Sequence, residues 1–147
     1  MRWRLLLLLG LMPACTSGPP QPVSIDTAND ACAYCRMIVS DPRVAAQIVA
    51  PGEETSVFDD IGCLRDYLAQ REVARDAVVF VADHRTGEWV RATDAIYTLS
   101  MGRRTPMASG IVAHASRASR DQDPVAAGGE DVAMRAVLGD APEGSSR

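Results

Sequence analysis

Cys32-Ala33-Tyr34-Cys35-Arg36-Met37 sets two thiols and a thioether within six residues. The spacing lets both Cys-x-x-Cys sulfurs meet one ion, and a turn brings Met37 near. Thiolates and thioethers are soft donors that favour Cu(I) among the biological metals. Zinc also takes paired thiolates, with His and carboxylates beside them, but not methionine. A Cys-x-x-Cys alone stays open among a metal site, a redox dithiol and a structural disulfide; Met37 tilts the choice toward copper. The competing reading is packing, because Met37 followed by Ile38 and Val39 also suits the start of a core strand.

The N-terminus sets the compartment. Met1-Arg2-Trp3-Arg4 is a short basic start, and Leu5 to Met12 is apolar with one Gly. That run is too short for a permanent span, which needs about 20 residues, and has the layout of a secretory signal. Met12-Pro13-Ala14-Cys15 resembles a bacterial lipobox, in which the signal is cut before Cys and that Cys is acylated. The expectation is a signal over residues 1–14, lipidation at Cys15, and a flexible tether over residues 15–29 that opens with Thr16 to Pro22. Thr16 in place of Asp favours the outer membrane, facing the periplasm. Lipidation leaves Cys32, Cys35 and Cys63, an odd set that cannot fully pair within one chain although an oxidising compartment favours disulfides. Metal binding gives the leftover thiol a reason; a Cys32–Cys35 disulfide with Cys63 buried is the alternative.

With 147 residues, 47% of them hydrophobic, the chain suits one compact unit or two small subdomains sharing a core. Its formal charge of −4 becomes more negative once Arg2 and Arg4 leave with the signal, and only 5% of residues are aromatic. An acidic chain without lysine clusters or stacking platforms is no nucleic-acid binder.

After the hexapeptide, Asp41-Pro42 reads as a turn, residues 44–50 and 55–58 as strands, and 51–54 as their hairpin connection. Asp59 or Asp60 caps a helix over 61–70, with Ile61, Leu64, Tyr67 and Leu68 as its apolar stripe. Cys63 sits in the first turn, where the helix N-terminus is expected to favour thiolate. Residues 77–82 read as a central strand, 83–87 as a turn, 88–91 as its hairpin partner, and 95–99 and 111–114 as further strands. The loop over 100–107 carries Met101 and Met107; Met101 reads as packing or surface, and His84 and His114 as turn and strand residues. Beyond Ser116 the pattern weakens, residues 130–138 form an element of uncertain type, and 139–147 a disordered tail. No convincing repeat, phosphate loop, nucleophile elbow or carboxylate pair stands out.

Taken together, these pieces resemble the NosL family, the accessory lipoproteins of nitrous oxide reductase. The resemblance rests on the lipobox-like Met12 to Cys15, the hexapeptide 32–37, Ala45 to Ile48, Phe58-Asp59-Asp60-Ile61-Gly62-Cys63-Leu64, Val81-Ala82-Asp83 with Gly87-Glu88-Trp89-Val90, Ala95-Ile96-Tyr97 and Thr105-Pro106-Met107. Their order and spacing cover most of residues 30–115. The resemblance implies an α+β fold of small β-β-α-β units with mainly antiparallel sheet, over residues 30–138. It also implies a periplasmic Cu(I) chaperone, not an enzyme, that feeds the copper sites of nitrous oxide reductase directly or through its membrane maturation machinery. Cys35 and Met37 match the family's C-x-M copper motif and Met107 its Pro-Met; Cys32 and Cys63 are the further candidate ligands. Arg36 stands where the family often has Gly, and the Ala- and Gly-rich stretch after Ser116 matches poorly. Two rivals remain. A thiol–disulfide oxidoreductase would use Cys32 and Cys35, but such a motif opens a helix, whereas Met37-Ile38-Val39 prefers strand. A structural zinc domain would use Cys32, Cys35, Cys63 and His84 or His114, leaving the methionines unexplained.

Overall fold

Two successive stretches of the chain run strand, strand, helix, strand, and each closes its own antiparallel sheet. The computed structural model describes residues 18–102 and 104–139. The expected signal, Cys15 and the tail beyond residue 139 lie outside the described residues. In the first stretch β1 (Ala46–Val49), β2 (Ser56–Phe58), α1 (Ile61–Leu68) and β3 (Val78–Ala82) form a sheet of order β2-β1-β3, extended beyond β3 by β4 (Trp89–Arg91). In the second, β5 (Ile96–Leu99), β6 (Ile111–His114), α2 (Arg117–Asp121) and β7 (Glu130–Val132) give the order β6-β5-β7, and α3 (Met134–Leu138) follows. Every strand pair is antiparallel. This is the expected α+β class.

β3 is buried at every position because it lies between β1 and β4 and both its faces are covered. Its partner β1 carries a fully buried Gln47, whose amide is satisfied by the backbone of Val23: Val23 N donates to Oε1 at 2.9 Å, and Nε2 donates to Val23 O at 3.0 Å. The later part of the segment read as tether is therefore engaged with the sheet, and Ile25 packs beside Val39, Ala45 and Val57. α1 turns Ile61 and Leu64 into the core with Phe58, Val81, Tyr97 and Val137, each such buried side chain contributing about 1.5–3 kcal/mol. That core includes residues of both sheets, and a bridge between Asp83 and Ala113 joins them.

Some boundaries moved. The strand expected from residue 44 begins at Ala46, because Asp41 caps a single 3-10 turn over Pro42–Val44 with the proline in its first turn. Ile38 makes one bridge, to Ala31, and starts no strand. α2 was not evident in the sequence; Ser116 caps it, its Oγ accepting from Ser119 N at 3.1 Å. The uncertain stretch 130–138 divides into β7 and α3, separated by an extended Ala133.

Candidate metal centre

The cysteine motif occupies a tight loop. Cys32 N donates to Met37 O at 2.8 Å, and Arg36 N donates to Cys32 O at 3.0 Å. Ala33 N donates to Val57 O at 2.8 Å, which fastens the loop to β2, and Gln70 Nε2 donates to the Tyr34 hydroxyl at 3.1 Å beyond the end of α1. The reversal places Arg36 at φ 67°, the left-handed region. A side chain there costs roughly 1–2 kcal/mol that glycine avoids. The position at which the resemblance leads one to expect Gly is thus one where glycine's freedom would be used. Arg36→Gly is expected to keep the loop and raise stability by about 0.5–1 kcal/mol, after the extra chain entropy of the unfolded state is subtracted. Thermal unfolding checks this, and a lower midpoint would contradict it.

Cys63 in the first turn of α1 completes the group. Ligand sulfurs of Cys32, Cys35 and Cys63 all lie within 4.8 Å of one another, and the three thiols are free. Metal–thiolate bonds of about 2.3 Å keep the sulfurs of one ion roughly 4 Å apart, so the spacing fits a single ion. Cys32 and Cys63 are buried, and Cys35 is the partly exposed member. Burial alone would raise the Cys32 pKa, but backbone N–H groups of Asp59, Cys35 and Tyr34 outweigh it and hold this thiol below its ordinary value. Burial raises Cys35, and its neighbour Cys32 adds to the effect. The expectation that a helix N-terminus would favour a Cys63 thiolate is corrected: burial, then the nearby Cys32 and Cys35 charges, push Cys63 well up. Three thiols this close cannot all ionise without a cation among them, and a soft cation is what three sulfurs favour.

Met37, Met107 and Met101 are not buried core side chains, being 56%, 43% and 74% exposed, whereas Met134 packs against the core. Met37 follows Cys35 by two residues, and its backbone N–H favours the Cys35 thiolate. Met107 is brought to the same corner by Asp60. One oxygen of that buried carboxylate, Oδ2, accepts from Thr105 Oγ1 at 2.5 Å and from Met107 N at 2.9 Å. The other accepts from Gly62 N at 2.7 Å, which caps α1, and from Ser109 Oγ. A Cβ on Gly62 would stand 2.6 Å from the Ser109 Cβ, so glycine permits this approach. Ala108, next to Met107, is also left-handed at φ 59°. Asp59 holds the other loop: its Oδ1 accepts from Ser40 N at 2.7 Å, three residues past Met37. The acidic pair therefore ties both methionine-bearing segments to the start of α1. From sequence alone the pair shows only as a helix cap, and the Ser/Thr content of Thr105 to Ser109 is the one signal of its second role.

His84 and His114 do not join the sulfurs. Among the described residues they cluster instead with Asp123, whose Oδ2 lies 2.6 Å from His84 Nδ1 and 3.0 Å from His114 Nε2. The mixed Cys/His zinc reading is not the grouping found. Burial would raise the Asp123 pKa, but hydrogen bonds from His114, His84 and Val125 N bring it down to about 2. The remaining ring nitrogens, His84 Nε2 and His114 Nδ1, are buried without a partner, a deficit of roughly 1–3 kcal/mol each.

In comparison with known proteins, residues 22–140 match the family model described as NosL. No curated protein and no solved structure matches the chain.

Proposed function

The chain belongs to the NosL family, whose role is that of copper-binding accessory proteins and which is not a known enzyme family, and from that premise we propose that it carries Cu(I) as cargo to a copper-acceptor protein. The observation that supports this is the Cys32, Cys35 and Cys63 cluster, with ligand atoms within 4.8 Å of one another. Cys32 supplies the best-stabilised thiolate from inside, Cys35 faces outward, and Met37 and Met107 stand exposed as the outer donors. Thioethers are neutral and leave readily. An incoming ligand of the acceptor would displace them while the thiolates still hold the ion. The acceptor on this reading is nitrous oxide reductase or its membrane maturation machinery, met on the periplasmic face.

Acylation at Cys15 would keep the chain on the outer membrane. Among the described residues no helix is long and apolar enough to cross a membrane. The stretch from Cys15 to Val23, whose backbone pairs with Gln47, reaches at most about 3.5 Å per residue. The copper site would then stay within a few tens of ångströms of the bilayer. Mass spectrometry of the peptide bearing residue 15 reads the modification, and an unmodified Cys15 refutes the anchor.

A chelator competition on the reduced chain tests the cargo. One Cu(I) per chain is expected, held far more tightly than Zn(II), because thioethers assist the softer ion; displacement of Cu(I) by comparable Zn(II) would overturn the reading. Met37→Leu and Met107→Leu are each expected to weaken Cu(I) by about 10-fold, on the scale of supporting metal contacts, and Met101→Leu to change nothing. Leucine nearly conserves volume, so stability should move by less than about 1.5 kcal/mol. Full affinity in both loop variants would remove the methionines from the site.

A further inference from the structure

We infer that His84, His114 and Asp123 form a second metal site, one of nitrogen and oxygen donors that takes a borderline divalent cation of the Zn(II) class. Three distant parts of the chain build it. His84 stands in the turn after β3, His114 ends β6, and Asp123 follows α2. Their exposures are 3%, 0% and 5%, so three groups that water solvates well are all withdrawn from it.

The internal geometry points to a ligand. Val125 N donates to Asp123 Oδ1 at 2.9 Å, which fixes the carboxylate and leaves Oδ2 to both imidazoles. With their lone pairs turned inward, His84 Nδ1 and His114 Nε2 join Asp123 Oδ2 as three donors from separate parts of the chain, one ligand atom of each residue lying within 4.8 Å of the others. The ring protons then sit on His84 Nε2 and His114 Nδ1, the two buried atoms without a partner. Two imidazoles and a carboxylate are a set suited to Zn(II) and unlike the sulfur group that suits Cu(I). Asp123 also borders a surface cleft of about 500 Å³ with Thr98, Asp121 and Asp131. A purely hydrogen-bonded triad would instead turn both ring N–H groups toward Oδ2, so a bound cation and an empty triad differ in which ring nitrogens carry the protons.

The test uses the full reduced chain and Zn(II) alone, with bound metal counted by equilibrium dialysis. Because the sulfur cluster can also take Zn(II), the reading is a difference: the wild-type chain should hold one more equivalent than His84→Gln or His114→Gln. Gln keeps a donor for Asp123, and each variant's thermal midpoint shows whether it folds. A second measurement needs no variant. Nitrogen NMR of the wild-type imidazoles should show a ring nitrogen of both His84 and His114 shifting as Zn(II) is raised to saturation, whatever the sulfur cluster holds. Equal metal counts in wild type and folded variants, or unshifted ring nitrogens at saturation, would reduce the group to a structural triad and overturn the site.

Discussion

Cys35→Ser is expected to weaken Cu(I) binding by more than about 100-fold while leaving the fold nearly untouched. Removing a supporting contact around a metal costs about 10–100-fold, and here a charged soft donor is exchanged for a neutral hard one. Cys35 is the suitable member of the three because it is partly exposed, whereas Cys32 and Cys63 are buried. A serine hydroxyl at either buried position would need a new hydrogen-bond partner. A serine at 35 can meet water, so stability should change by no more than about 0.5 kcal/mol, as for surface substitutions. Chelator competition beside thermal unfolding separates the two effects. Retention of affinity within about threefold would remove Cys35 from the copper site and leave the dithiol reading with the stronger case.

Asp60→Ala is expected to produce the largest loss of stability, about 3–5 kcal/mol, because several donors to one buried carboxylate lose their acceptor together. The carboxylate accepts from Gly62 N, Thr105 Oγ1, Met107 N and Ser109 Oγ. Alanine leaves those donors facing a dry gap, each unmade bond costing roughly 1–3 kcal/mol before the loop relaxes. A drop of about 10–20 °C in thermal midpoint follows for a domain of this size. Asp60→Asn keeps one acceptor oxygen and should fall between wild type and alanine. The same substitution frees the turn that carries Met107, so Cu(I) affinity should decline with it. A midpoint shift under about 3 °C for Asp60→Ala would show that the loop is held by something else.

The regular elements were largely legible because their signals are local. Val78 to Ala82 is an unbroken β-branched and aromatic run, and Asp60 precedes the Ile61–Leu68 stripe as a cap should. Cys32 and Cys35 stood out for the same reason, as soft donors at short spacing, whereas only the fold brings Cys63 to them. What escaped was non-local. Nothing adjacent to Asp60 says that Met107, 47 residues on, donates to it. Nor does the sequence around Asp123 reveal His84, 39 residues away. The repeated β-β-α-β unit came from the family resemblance, whereas the residues themselves did not reveal α2 or β7, which complete the second unit. Cys63 misled for a physical reason: helix-end electrostatics are modest and were outweighed by burial and two neighbouring thiols.

The pinned loops carry a thermodynamic consequence. Amides of Cys32, Arg36, Val39 and Met107 are already hydrogen-bonded, and the backbone beside each methionine, at Arg36 and at Ala108, is already wound into its uncommon left-handed shape. Ordering a residue costs about 1–2 kcal/mol, and here that ordering is accomplished by folding, not by the arriving ion. On the proposed function, loading and unloading would therefore be changes of occupancy with little change of shape. The heat-capacity change on binding should be small, and amide exchange in the two loops should hardly differ between the empty and the loaded chain. Such a chain would be discharged as easily as it is charged, because no refolding would stand between the two states.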